Sequence, residues 1–256
     1  MKLLRRLLRV LLIAAFWIGI WAFASWRVGK ELLFPSPLAV LKRLFELLQT
    51  KEFYLITANS FGNILLGILT AVLLGCLLSV LTWRVSLLRE ALLPMMTVIK
   101  ATPVASFIVL AMIWIGAARV PTFITILIVL PVLWTNLDEG FSRIDPKLSE
   151  VTKVYKMPFF RRWKLLVVPS LKPYFLSACR TSLGLAWKAG IAAEIIAMPL
   201  NSIGTMIGEA KQYIETTTMF AWTLTVIILS LLIEFFFSYL FGKGKNAVRK
   251  KEEAPC

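Results

Sequence analysis

The chain has 256 residues, 59% of them apolar and 17% charged, and a formal net charge of +15. A soluble domain of this size holds about 45–50% apolar and about 25% charged residues, so the apolar excess must face lipid. The basic residues fall between long apolar runs rather than along one polar face, which argues against a nucleic-acid partner. Histidine is absent, which removes the usual general base and the commonest metal ligand. Cys76, Cys179 and Cys256 have no CxxC spacing. Two of them lie in apolar runs, where cysteine packs as a small hydrophobe.

In chain order, the first apolar run is Leu7 to Trp26, behind a basic start containing Lys2, Arg5, Arg6 and Arg9. As a helix it is about 30 Å long, enough to cross a bilayer. Ala22-Phe23-Ala24 leaves a cleaved signal peptide as the rival reading, although signal cores are usually about 7–15 residues long. Phe34-Pro35-Ser36-Pro37 breaks the helix. From Leu38 to Leu48, apolar residues at 38, 41, 44, 45 and 48 alternate with Lys42, Arg43 and Glu46. This spacing predicts an amphipathic helix lying on the membrane surface.

Five further runs are read as spans: 57–83, 92–115, 122–137, 173–198 and 220–241. Only helices satisfy their own backbone in lipid, so the expected fold is all-α with six membrane helices. Nineteen Lys and Arg fall on the side of the N-terminus and seven on the other, which predicts both termini in the cytoplasm. The expected organisation is an N-terminal helix (1–32), an external amphipathic region (33–56), a core of five helices (57–241) and a disordered tail (242–256).

The longest inside loop, 138–172, has internal order. Asp145-Pro146 reads as an N-cap followed by proline at the first helical position. That helix should stop near Met157, before Pro158. A second short helix is expected from Phe159 to Val168, ended by Pro169. On a helical wheel Phe159, Phe160, Trp163, Leu166 and Val167 share about a third of the circumference, with Arg161 and Lys164 opposite. Such a face either docks into a protein or rests on lipid headgroups.

The stretch Glu150-Val151-Thr152-Lys153-Val154-Tyr155-Lys156, followed after twelve residues by Pro169, resembles the EAA loop of binding-protein-dependent ABC permeases. In that family the loop forms a coupling helix seated in a cleft of the ATPase. Leu33-Phe34-Pro35-Ser36-Pro37, Pro94 with Lys100-Ala101-Thr102-Pro103, Trp114-Ile115-Gly116, Ile144-Asp145-Pro146 and Ala193-Glu194 are similar to the nitrate/sulfonate/taurine branch. The resemblance implies a type I importer fold and pairing with a second copy. It also implies two cytoplasmic ATPase subunits that bind ATP and Mg, an external substrate-binding protein, and a bacterial inner membrane. Glu150, Val151, Thr152, Lys156, Phe159, Phe160 and Trp163 are the implied coupling residues. Val151 and Thr152 replace the family's alanines, and Lys156 replaces its glycine. Lysine takes the left-handed conformation poorly, so Pro158 is expected to supply the break.

Charged residues at membrane depth are candidates for function. Arg180, Gly184, Trp187, Lys188, Ile191 and Glu194 fall within an arc of about 120° on the fifth run, and Arg180 lies too far from Glu194, about 21 Å, for an ion pair. Lys100, Arg180, Trp187, Lys188 and Glu194 are the candidate pathway residues, with Glu234 contributing; the alternative is that they fasten helices together. The excess of positive charge points to a small anion such as a sulfonate or nitrate, while the family also includes permeases for vitamin precursors that are not anions. No phosphate-binding GxxxxGK[ST] occurs, so ATP is expected on a partner and no cofactor on this chain. A secondary transporter would need repeated halves, which the sequence lacks. A membrane enzyme would need a histidine or a clustered acid pair.

Overall fold

The computed structural model describes residues 2–252, and the side chains of 8, 9 and 11–239. Every regular element among the described residues is helical. In chain order these are α1 (Lys2–Val28), α2 (Pro37–Leu48), α3 (Lys51–Arg84), α4 (Ser86–Ala101), α5 (Val104–Ile115) and α6 (Val120–Ser142). The second half holds α7 (Pro146–Val154), α8 (Phe159–Arg162), α9 (Val168–Ala197), α10 (Ile203–Gln212) and α11 (Thr216–Glu252). A short 3-10 turn, Ala117–Arg119, leads into α6, and a π-helical turn, Trp163–Val167, joins α8 to α9.

Helix α6 lies at the centre, packed between α3 and α9, with α5 against both α6 and α9. Lipid is as apolar as leucine, so close approach rather than hydrophobic expulsion holds such helices together. A Cβ on Gly67 would sit 2.7 Å from the Cβ of Thr125 and 2.8 Å from the carbonyl oxygen of Thr122. A Cβ on Gly190 would sit 2.6 Å from Cγ1 of Ile64. At Gly67 the helices approach to the backbone itself, and at Gly190 the Ile64 side chain fills the place that a Cβ would take. Trp134, 2% exposed, fills the inner end of the same core and donates its indole N–H to Thr82 Oγ1 at 3.1 Å.

Among the described residues, four helical stretches are long and apolar enough to cross a membrane: Leu11–Val28, Lys51–Arg84, Ala117–Ser142 and Thr216–Tyr239. The third apolar run is not one straight span. It is α4 and α5, bent by 104° at Thr102–Pro103; counted as one span, the pair makes a fifth. Thr102 is extended (φ −79°, ψ 134°) because the proline ring excludes helical geometry from the residue before it. Helix α9 has 30 residues but carries Lys172, Arg180, Lys188 and Glu194, and does not meet the same standard of apolarity.

Three further expectations are corrected. Helix α2 does not simply lie on the membrane: Val40 and Leu44 are buried, and the helix packs on α11 and α3. Leu38, Leu41 and Phe45 keep an outward apolar face, so α2 is apolar on two sides. The second short helix does not stop at Pro169, because α8, the π-turn and α9 follow one another without a break. In the π-turn Val168 N–H bonds back to Trp163 O, and this wider winding accommodates Pro169, which has no N–H to give. Residues 242–252 of the tail are helical where disorder was expected; this stretch has no proline and is rich in the helix formers lysine and arginine. Residues 253–256, including Cys256, lie outside the described residues.

Gly67→Val should overpack the α3–α6 crossing and lower stability by about 1–3 kcal/mol, read as a lower thermal midpoint in detergent. Gly62→Val, where an added Cβ meets nothing within 4 Å, should leave the midpoint nearly unchanged; equal losses at both positions would refute the close-packing account.

Candidate functional site

Two polar regions stand out, one at each end of α9. At its start, Asp145 caps α7 by accepting from Lys147 N–H at 2.8 Å, with Pro146 at the first helical position. The helix ends on Lys156, whose φ is +45°, and Met157 N–H reaches back to Thr152 O at 3.0 Å. The lysine thus takes the left-handed position that a glycine fits best, and the stop is closed by the backbone as well as by Pro158.

Beyond that stop the aromatic residues divide. Trp83 of α3 stacks on Phe141 of α6 with centroids 4.9 Å apart, and Trp163 meets them edge-on at 6.1 and 6.5 Å. Phe159 packs on Trp163 at 5.7 Å and lies under the Arg84 guanidinium at 5.1 Å. Leu166 and Val167 are buried. The face expected to dock outward is therefore largely turned onto the chain's own α3 and α6, where it anchors the segment. Phe160 alone of that set is fully outward, 85% exposed, beside Tyr155 at 74% and Val154 at 78%. Glu150 and Val151 are exposed and Thr152 is buried, its hydroxyl bonded to Ser149 O. Arg162 ties the two short helices together by donating to Ser149 Oγ at 3.0 Å.

At the far end of α9, Glu194 is wholly buried, and its Oε2 accepts from Ser60 Oγ at 2.9 Å and from Gly204 N–H at 3.0 Å. Ser60 Oγ in turn accepts from Ile203 N–H at 2.8 Å, and Ser202 Oγ accepts from Thr205 N–H. The first free N–H groups of α10 are thus met by a carboxylate and two hydroxyls from α3, α9 and the preceding turn. A negative group belongs there, against the positive end of the helix dipole. A Cβ on Gly204 would lie 2.2 Å from that of Glu194, so the contact requires glycine.

The candidate pathway residues do not form one face. Trp187 is buried and donates to Val226 O at 3.1 Å, and with Glu194 it points into the fold. Arg180 and Lys188 are exposed, Arg180 on nearly the same side of α9 as Trp187 and Lys188 about a quarter-turn round from it. Lys100 is exposed at the end of α4 and donates to Thr135 Oγ1 at 2.6 Å. Arg180 and Glu234 line one cavity, close to Gly184.

Residues 43–243 match the family described as binding-protein-dependent transport system inner membrane component. The chain belongs to this family. It is a multi-pass protein of the bacterial inner membrane and a transport subunit of the ABC permease type, similar to the sulfonate and taurine branch. It is 25% identical over 236 residues to an aliphatic sulfonates transport permease protein of Bacillus subtilis (strain 168), covering 91% of this chain and 85% of that one. With the taurine transport system permease protein of Escherichia coli (strain K12) it shares 24% over 221 residues, 84% and 80% of the two chains. With a bicarbonate transport system permease protein of Synechocystis sp. it shares 28% over 158 residues, 61% and 56% of the two.

In this permease, sequence reasoning missed Ser60, Gly204, Trp83 and Phe141. Ser202 with Thr205 three residues on, just after the acidic Glu194, was a readable N-cap signal. Nothing local marks Ser60 or the two aromatic residues, because their partners are remote in sequence.

Glu194→Ala would strand two buried donors and should cost roughly 3 kcal/mol or more, measured as a lower thermal midpoint and faster proteolysis at 198–202; Glu194→Gln, which keeps an acceptor, should lose less. Lys156→Gly should leave folding intact or raise stability, whereas Lys156→Val, a β-branched residue forced to positive φ, should lose about 1–3 kcal/mol. The reverse order would mean that the left-handed turn does not limit this segment.

Proposed function

We propose that the chain is the permease subunit of an ATP-driven importer for a small anion, paired with a second copy across its exposed polar face. The supporting observation is that Lys100 and Lys188, on helices of the membrane core, are exposed on the outside of a single chain. Ammonium groups facing lipid are expensive. A second copy laid over this surface would enclose them in a passage of positive potential, which favours negative solutes. The sulfonate, taurine and bicarbonate names of the relatives agree with such a cargo.

In this reading α1, α3, the α4–α5 pair, α6, α9 and α11 make six crossings with both termini in the cytoplasm, as the nineteen-to-seven distribution of basic residues supports. The segment 146–168 is then the EAA-type coupling element. Phe160, Tyr155 and Val154 enter the cleft of a cytoplasmic ATPase, while Trp163 and Phe159 hold the segment on α3 and α6. Glu150 and Val151 border the same contact, and Thr152 and Lys156 shape its backbone. ATP and Mg stay on the ATPase, and solute arrives on an external binding protein. Closure of the two ATPases moves the coupling segments and switches access across the membrane.

The test is a reconstituted complex of permease, ATPase and binding protein. Lys188→Ala should lower solute-dependent transport about tenfold, the lower end of what a charged cleft contributes, with basal ATP hydrolysis kept within about twofold. Phe160→Ala should weaken ATPase association by about 2 kcal/mol and separate hydrolysis from transport. A neutral ligand in the binding protein would overturn the anion assignment, and coupled transport unchanged in Phe160→Ala would overturn the docking assignment.

A further inference from the structure

An apolar cavity of about 600 Å³ opens between α3, α9 and α11, lined by Ile64, Ile68, Trp187, Leu229 and Ile233 among others. A second cavity of about 310 Å³ is lined by Arg180, Leu183, Glu234, Phe237 and Ser238. Leu183 and Phe237 line both, so the two adjoin: an oily groove next to a pocket with one cation and one anion.

Among the described residues, neither charge has an ion pair. The ion pairs among the described residues are Arg43–Glu46, Arg89–Asp138 and Arg143–Glu139, and Arg180 and Glu234 are not joined by one. They nonetheless share a pocket, and Glu234 Oε1 reaches to 3.4 Å from where a Cβ on Gly184 would stand. Glu234 lies near the end of the apolar stretch Thr216–Tyr239, about 27 Å of helix from Thr216. That depth corresponds to the headgroup edge of a hydrocarbon layer about 30 Å thick. Opposite charges held apart at the membrane edge, above an apolar groove, match a molecule with a zwitterionic head and an oily tail.

We propose that this face binds one phospholipid with a phosphoethanolamine headgroup. Its phosphate meets the Arg180 guanidinium, whose planar fork suits phosphate oxygens, and its ammonium meets the Glu234 carboxylate. One acyl chain lies in the groove against Ile64, Trp187 and Leu229. The proposal needs only that these helices lie in a bilayer, so it stands or falls apart from the anion-transport reading.

The complete permease–ATPase complex, stripped of lipid in detergent, is titrated with phosphatidylethanolamine or phosphatidylglycerol and read by native mass spectrometry. One phosphatidylethanolamine per permease chain is expected, bound roughly tenfold more tightly than phosphatidylglycerol, the scale of one charge-assisted contact. Arg180→Ala should weaken both lipids, Arg180→Lys should retain part of the binding, and Glu234→Gln should remove the preference between headgroups. Variants are compared only as intact complexes by gel filtration, and Leu183→Trp, which fills the junction, gives an independent loss of binding. Equal lipid binding in wild type and both charge variants would overturn the site, as would phosphatidylglycerol bound as well as phosphatidylethanolamine. A cross-link between copies through Leu232→Cys would place a second chain in the groove and overturn it too.

Discussion

Apolar side chains gain nothing by leaving lipid for one another, so this fold depends on how closely α3, α6 and α9 can approach. Each extra pair of carbon atoms in contact contributes only about 0.1–0.2 kcal/mol, and an interhelical hydrogen bond in a membrane typically about 0.6 kcal/mol. Neither decides the fold singly. At Gly67 against Thr122 and Thr125, and at Gly190 against Ile64, the missing side chains bring whole turns of helix together, and many small terms add. Helix α6 can be the most enclosed element because both of its neighbours offer such flat places.

The Glu194 network is a different kind of interaction, since it ties side chains of two core helices to main-chain groups of a third. It sits where the chain reverses between α9 and α10, and the reversal is strained: Met198 and Asn201 have φ of 49° and 55°. Non-glycine residues in that region cost about 1–3 kcal/mol each. Asn59 helps to hold the turn by donating to Asn201 O at 2.8 Å. The carboxylate, the two hydroxyls and the dipole of α10 together offset a backbone that would otherwise relax, and so they set the angle at which α10 meets α9 and α11.

The residues that announce themselves locally were legible. Asp145-Pro146 starts a helix and long apolar runs become long helices; Ser36-Pro37, read only as a break, starts another. The α4–α5 bend was misread because apolarity over 92–115 is continuous; Thr102-Pro103 carried the signal, but composition outweighed it. The direction of Trp163 could not be read from a wheel, which says which residues share a face but not where that face points. The π-turn added to this, since one extra residue in a turn rotates everything after it by about 100°. The arc holding Arg180 and Glu194 failed for a related reason: α9 is packed on several sides, and 120° of its surface spans both a buried and an open sector.

That continuity from α8 into α9 bears on how the two ends of the protein communicate. A hinge loop before α9 would absorb a displacement of α7 and α8. Here the chain passes from Phe159 to Ala197 without leaving helical geometry, and the aromatic stack of Trp83, Phe141 and Trp163 clamps the inner end to α3 and α6. Helix α9 itself is about 45 Å long at 1.5 Å per residue, and at its other end Glu194 grips the start of α10. A displacement of α8 therefore meets two softer places, the π-turn, whose wider winding yields more readily than α-helix, and Pro173 inside α9, which has no N–H to give. Any displacement of α8 must tilt α9, rewind the π-turn or flex the helix at Pro173, and each of these motions shifts the stripe that carries Lys188.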